Sequence, residues 1–208
     1  MEFAIFTIVV LIFSIILHEV AHGYAAKALG DPTAKLAGRL TLNPVPHLDP
    51  VGSILIPALL VITNAGILFG WAKPVPYNPY NLSNQRWGEA IVGIAGVATN
   101  LAIAVLFAFI TRFAFAQGLT EFATLSALVV LVNLSLGLFN LIPIPPLDGF
   151  TVLRGILPHK ASMTLVRIEE RMRAGGIFTL IILLVILTQF FAKPFFAVVM
   201  ATYKLLVG

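Results

Sequence analysis

Residues 17–22 read LHEVAH, and they interrupt a segment otherwise built to cross a lipid bilayer. The fifteen residues before the motif's first histidine, 3–17, carry no formal charge. Ionisable side chains in hydrocarbon cost about 2.5–3.5 kcal/mol each on insertion scales for Asp, Lys or Arg, so such residues in a spanning helix mark a functional site. His18 and His22 are four apart, which puts them on one face of a helix about one turn from each other. Two imidazoles at that spacing grip one tetrahedral metal ion, and Glu19 beside them reaches a water on that metal as general base. A haem reading fails, because axial ligands on opposite faces cannot come from adjacent turns of one helix. A di-iron carboxylate bundle needs two Glu-x-x-His motifs, and Glu19–His22 is the only one.

The composition around the motif fits the same picture. Of 208 residues, 59% are hydrophobic and 11% charged, against about 25% charged in soluble domains. The expectation is an all-α polytopic membrane protein with one domain over 1–208, since no long polar stretch is left for a second. The chain has no cysteine, so His, Asp and Glu are its strong metal ligands. A net charge of +4 spread over loops reads as topology and contact with the lipid bilayer, not nucleic acid. The N-terminus lacks a basic n-region and a small-residue cleavage site, which argues against a removable signal peptide.

Six apolar segments stand out: A at about 3–29, B at 51–71, C at 88–115, D at 122–142, E at 177–192 and F at 195–207. Between A and B, Leu36, Leu40 and Leu42 share one parity while Lys35, Arg39 and Thr41 share the other, a period-2 strand signal over 34–42. After B, KPVPYNPYNL (73–82) has three prolines in seven residues and reads as extended chain. A small β/extended element therefore brackets B. If B spans, Lys and Arg divide 5 to 8 between the two faces; if B dips in and returns, they divide 11 to 2. The steeper split fits the cytoplasmic excess of Lys and Arg, so B is expected to be re-entrant, with Pro57 and Gly66 as break points. That arrangement has F complete a span and leaves the tail on the basic face.

Two histidines leave the metal needing a third protein ligand. Of nine acids, Glu2, Asp31, Glu121, Glu169 and Glu170 lie in ends or charged loops. Asp49, Glu89 and Asp148 remain. Asp148 is the best placed, in FNLIPIPPLDGF (139–150), where a proline-stiffened chain turns at Gly149. His18 and His22 lie roughly 10–16 Å from the inner end of A, and Asp148 just past the inner end of D, so both fall in the same half of the membrane.

HEVAH on a first apolar helix, GVATN (96–100) on a later one and NLIPIPPLDG (140–149) closing another together resemble the site-2 protease family of intramembrane zinc metalloproteases. GRLTLNPVPHLDPVGSILIP (38–57) and FGWAKPVPYNP (69–79) resemble its compact bacterial and archaeal subfamily. The resemblance covers about 15–157. It implies one zinc ion held by His18, His22 and Asp148, with Glu19 as general base. It implies that Asn140 holds the scissile carbonyl or its oxyanion, and that Gly96 and Asn100 lie next to the site. Val97 stands where the family pattern has proline, a change that touches no ligand. The implied substrate is a transmembrane segment of a single-span membrane protein. The implied location is the plasma membrane, multi-pass, with the site toward the cytoplasmic half. A substrate helix must unwind before hydrolysis, and an edge at 34–42 or 73–82 would pair with it.

Plainer roles stand beside these. Asn140 also fits a helix cap, and Gly96 close helix packing. His47 and His159 read as structural loop residues, and LVRIEERMR (165–173) as a surface helix at the lipid headgroups. The rival function is a catalytically silent metal-binding scaffold for transmembrane helices, which has no need of Glu19. A divalent-cation carrier would string acids along a path, whereas these gather at one depth.

Overall fold

The computed structural model describes residues 2–62 and 71–208. Its frame is three long apolar helices, α1 (Glu2–Ala28), α4 (Gly88–Ala116) and α5 (Thr120–Asn140). Among the described residues, four helical stretches are long and apolar enough to span: Ile5–Ala28, Gly88–Ala116, Thr120–Asn140 and Gln189–Val207. This is a multi-pass membrane protein. Small side chains bring its helices together, as is usual where lipid removes the hydrophobic drive for association. Ala104 and Ala108 of α4 pack in a buried cluster with Val130, Leu134 and Val199.

No strand forms among the described residues, so the expected β element at 34–42 is corrected. Residues Thr33–Leu36 make a helical turn, α2. Local signals outweighed the alternation: Asp31 accepts from the Thr33 N–H and hydroxyl ahead of the turn, and Gly38 leaves it at φ +67°. Leu36 is 80% exposed within the protein while Leu40 packs toward Gly23 of α1, so the leucines do not share one face. The chain at 71–78 is irregular, in keeping with its prolines.

Segment B begins as a π-helical turn, Pro50–Leu55, and continues as α3 (Ile56–Ile62). Gly66, expected as a break point, lies outside the described residues, and Pro57 sits within α3. The segment's two ends meet. The Trp71 N–H donates to the Gly52 carbonyl at 3.1 Å, the Ser53 hydroxyl to the Trp71 carbonyl at 2.8 Å, and the Lys73 N–H to the His47 carbonyl at 2.8 Å.

Segments E and F differ from expectation. No loop forms at Lys193–Pro194; α8 (Gly176–Ile186), a π-helical stretch (Leu187–Phe191) and α9 (Ala192–Val207) run on without a break. A widened π turn leaves carbonyls without their usual partners, so the N–H that Pro194 lacks falls where the helix has already loosened. Phe195 packs edge-on against Phe139, and Arg112 Nε donates to the Val207 carbonyl at 3.3 Å. The end of α9 therefore lies at the far end of α4, opposite the loops that follow α1 and α5. The tail is at that far face, not with the basic loops. The charge asymmetry survives: ten of the thirteen Lys and Arg lie at the near face, Arg112 and Lys204 at the far one, and Lys193 between them along the α8–α9 helix.

Beyond α5 the chain folds back as α6 (Asp148–Ile156), followed by α7 (His159–Ala174). Gly93, Gly155 and Ala90 let α6 press against α4; a Cβ on Gly155 would sit 2.6 Å from the Ala90 nitrogen. Arg154 of α6 clamps the contact, pairing with Glu89 of α4 at 2.9 Å and Glu169 of α7 at 2.7 Å.

Candidate metal centre

The α1 face carrying His18 and His22 turns toward α4, and α6 delivers Asp148 to it. His18 Nε2 and His22 Nε2 are 3.1 Å apart, and Asp148 Oδ2 lies 2.8 Å from the first and 3.3 Å from the second. The edges of a zinc tetrahedron, with bonds of about 2.0–2.2 Å, are roughly 3.3–3.6 Å long, so the three atoms converge as ligands of one ion would, two of the separations slightly inside those edges. Two glycines make the convergence possible. A Cβ on Gly96 would lie 2.5 Å from His22 Nε2 and 2.7 Å from His18 Cε1. A Cβ on Gly149 would lie 2.1 Å from the Leu141 carbonyl oxygen, so only glycine lets Asp148 fold back onto the end of α5.

The protonation pattern follows from the far side of each ring. His22 Nδ1 is 2.7 Å from the Val92 carbonyl, which can only accept. His18 Nδ1 is 2.6 Å from Asn100 Oδ1, also an acceptor. Both rings therefore carry their proton on Nδ1 and turn an Nε2 lone pair inward. Asp148 turns its carboxylate toward both rings. Its Oδ2 is buried and receives no hydrogen bond. In that tautomer three electron-pair donors face one another, an arrangement that a divalent cation satisfies. Among the described residues this is the group of His, Asp and Glu side chains that can hold a metal.

The two competing acids have other work. Asp49 accepts from the Val51 and Gly52 N–H groups, and Glu89 is taken by Arg154. Glu19 lines the same cavity as the three ligands, and its Oε2 accepts from the Val75 N–H at 2.8 Å. The cavity measures about 430 Å³, with apolar walls that include Ile15, Trp71, Val75, Phe139, Leu183 and Leu187. Tyr77 is on its wall too, with its phenol pushed up to about 12 by burial and then by Glu89, so it stays a neutral O–H. Asn140 also lines the cavity; its Nδ2 donates to the Leu136 carbonyl of its own helix at 3.0 Å. His47 is structural, bridging the Thr41 carbonyl and Arg39, and His159 is exposed at the start of α7.

Sequence reasoning missed three things. It set Asp31 aside as a loop acid, yet Asp31 is fully buried and ties the two loops flanking B, accepting from Thr33, the Asn78 N–H and Asn81 Nδ2. Burial opposes its ionised form, but those donors outweigh burial and hold Asp31 below the ordinary carboxylate range. It also passed over Ser14 and Asn133, polar residues buried in spanning helices, which their setting alone flagged. Lastly, it expected a pairing edge at 73–82. The N–H groups of Lys73, Val75 and Asn78 go to His47, Glu19 and Asp31, those of Tyr80, Asn81 and Leu82 close a local turn, and Pro74, Pro76 and Pro79 have none. Only the Tyr77 N–H in that stretch is without a partner among the described residues, so few of its N–H groups are left to pair with another chain.

Relatives carry names that specify zinc. The model of peptidase family M50 matches residues 114–187. "Putative zinc metalloprotease YwhC" of Bacillus subtilis is 42% identical over 168 residues, covering 76% of this chain and 73% of the relative. The chain belongs to peptidase family M50. Other members of the family are more distant and longer than their matched parts. "Putative zinc metalloprotease Rip2" of Mycolicibacterium smegmatis is 33% identical over 70% of this chain and 54% of its own length. "Zinc metalloprotease MJ0392" of Methanocaldococcus jannaschii is 29% identical over 73% of this chain and 34% of its own. No solved structure matches this M50 chain.

Proposed function

We propose that this M50 chain is a zinc-dependent endopeptidase that hydrolyses a peptide bond in or near a transmembrane segment of another, single-span membrane protein. The observation that carries the reading is the meeting of His18 Nε2, His22 Nε2 and Asp148 Oδ2, with Glu19 on the same cavity wall, inside a spanning helix. One zinc ion held by those three atoms supplies Lewis acidity toward a carbonyl oxygen and toward water.

The chain's own residues do the rest. Glu19 is held by Val75 through one carboxylate oxygen and uses the other to take a proton from water and pass it to the leaving amine. Asn140 keeps an amide group on the cavity wall to steady the scissile carbonyl or its oxyanion. The apolar walls receive side chains of an unwound apolar segment and keep bulk water from the reacting bond. The cavity's apolar walls also support the unwinding of the segment.

The site lies six and ten residues from the near end of α1, at Ala28, hence roughly 9–15 Å deep. The surplus of Lys and Arg at that end orients the site toward the cytoplasm of the plasma membrane. Segment B is re-entrant, a reading supported by the hydrogen bonds between its ends. The test is zinc analysis of the purified protein, paired with cleavage of a panel of single-span segments by wild type and Glu19→Gln. Zinc at one per chain, with cleavage by wild type alone, is the expected result. Zinc without cleavage of any segment would leave the scaffold reading in its place.

A further inference from the structure

We infer that Asn133 and Ser14 are positioning residues for the metal: they fix which end of the Asn100 amide faces His18. All three are buried within spanning helices, Asn133 and Asn100 at 0% exposure and Ser14 at 4%. The hydrogen bonds between them run in one direction. Asn133 Nδ2 donates to the Val129 carbonyl at 3.0 Å and to the Ser14 hydroxyl at 3.0 Å, which uses both its hydrogens. Its Oδ1 must then face Asn100, whose Nδ2 donates to it at 2.9 Å and to the Ser14 carbonyl at 3.3 Å. That leaves Asn100 Oδ1 toward His18 Nδ1 at 2.6 Å.

Backbone carbonyls only accept, so Val129 and Ser14 anchor the sequence of donors and no amide can flip alone without setting donor against donor. The consequence reaches the metal centre. A flipped Asn100 would offer hydrogens to His18 Nδ1 and drive the ring proton to Nε2. That proton would occupy the lone pair that faces Asp148 and His22. Two amides and a serine, none of them touching substrate or ion, thereby select the imidazole tautomer that can ligate. Groups that orient a ligating histidine in this way typically contribute about 10–100-fold to metal affinity.

The inference rests on the proposed metal reading but not on hydrolysis, so its test is zinc affinity, measured by chelator competition on the full chain in detergent. Wild type is measured first; if it binds no zinc, the proposed function falls and this inference with it. Asn133→Leu is expected to weaken zinc binding by about 10–100-fold. Asn100→Asp is expected to bind at least as tightly as wild type, because either carboxylate oxygen accepts from His18 whichever way the group turns. For the same reason Asn133→Leu combined with Asn100→Asp should recover the affinity of Asn100→Asp alone. Wild-type affinity in Asn133→Leu, or a double variant as weak as Asn133→Leu, overturns the inference. If Asn133→Leu does not fold, Asn133→Ser, whose hydroxyl is too short to reach Asn100, is read in the same way with and without Asn100→Asp.

Discussion

Val75 holds Glu19: its backbone N–H meets Glu19 Oε2 at 2.8 Å across 56 residues of sequence. The proposed base is therefore anchored by a loop on the far side of segment B, and that loop reaches α1 because Gly23 leaves room. A Cβ on Gly23 would lie 2.9 Å from Val75 Cγ1, 2.5 Å from Leu40 Cδ2 and 3.1 Å from Ala34 Cβ. Gly23→Ala should push the loop off the helix and cut turnover by about 10–100-fold, since sub-ångström placement of a reacting group carries that much rate. Zinc affinity should hold, because the atoms an added methyl would strike belong to Leu40, Val75 and Ala34 and not to a ligand side chain. Steady-state cleavage and zinc titration on the same preparation check this, and undiminished turnover would sink it.

Glu19→Gln should keep both fold and zinc while losing about 10²–10⁴-fold in rate. The amide oxygen of glutamine still accepts from Val75, so the loop stays in place and only the proton transfer is lost. Single-turnover cleavage beside metal analysis decides the matter; substantial activity in the variant would assign the base elsewhere.

Asp148→Ala should weaken zinc binding by more than about 100-fold, beyond the range seen for groups that only orient a ligand. Unchanged zinc content would move the third ligand to another residue.

Gly96→Ala should abolish zinc binding, because the added methyl would stand 2.5 Å from His22 Nε2. Gly93→Ala, three residues earlier, meets Thr151 and Val152 at 3.2 Å and should bind zinc nearly normally. Equal effects of the two would mean that Gly96 serves packing alone.

Asp31→Asn should destabilise the protein by about 1.5–3 kcal/mol near neutral pH, the range for hydrogen bonds to a charged group. Because the folded pKa of Asp31 is lowered, the stabilisation it contributes is present above the ordinary carboxylate pKa of about 3.9 and is lost as pH falls through the folded value. The gap between wild type and variant, read from thermal melts in detergent, should therefore close on acidification below about pH 4. A gap independent of pH would mean that the ionised carboxylate is not what the loops require.

The meeting of His18, His22 and Asp148 was legible because the pattern is local in sequence: HEVAH sets two imidazoles on one helical face with a carboxylate beside them, and Asp148 was the acid left over in a stiffened turn. The strand at 34–42 was misread because alternation over a few residues is weak beside an Asp-Pro-Thr start and a left-handed Gly38. The break at Lys193–Pro194 was misread because a proline that ends an ordinary helix can be absorbed by a π-helical turn, which composition does not reveal. Asn133 was overlooked for another reason. Its partners, Ser14 and Asn100, lie 119 and 33 residues away, and nothing in a linear reading pairs them.

Those same separations order the chain's birth. Ser14, His18, Glu19 and His22 enter the bilayer with the first helix, before α4 and α5 have been synthesised to pair with them. The helix tolerates this because its mean hydropathy is 2.2, enough to insert on its own. Its polar face must then wait, wet or temporarily covered, for Asn100, Asn133 and finally Asp148 to leave the ribosome. Completion of the proposed metal centre is therefore one of the last events in biogenesis, and a nascent chain stalled before α6 would be membrane-integrated yet lack its third proposed ligand.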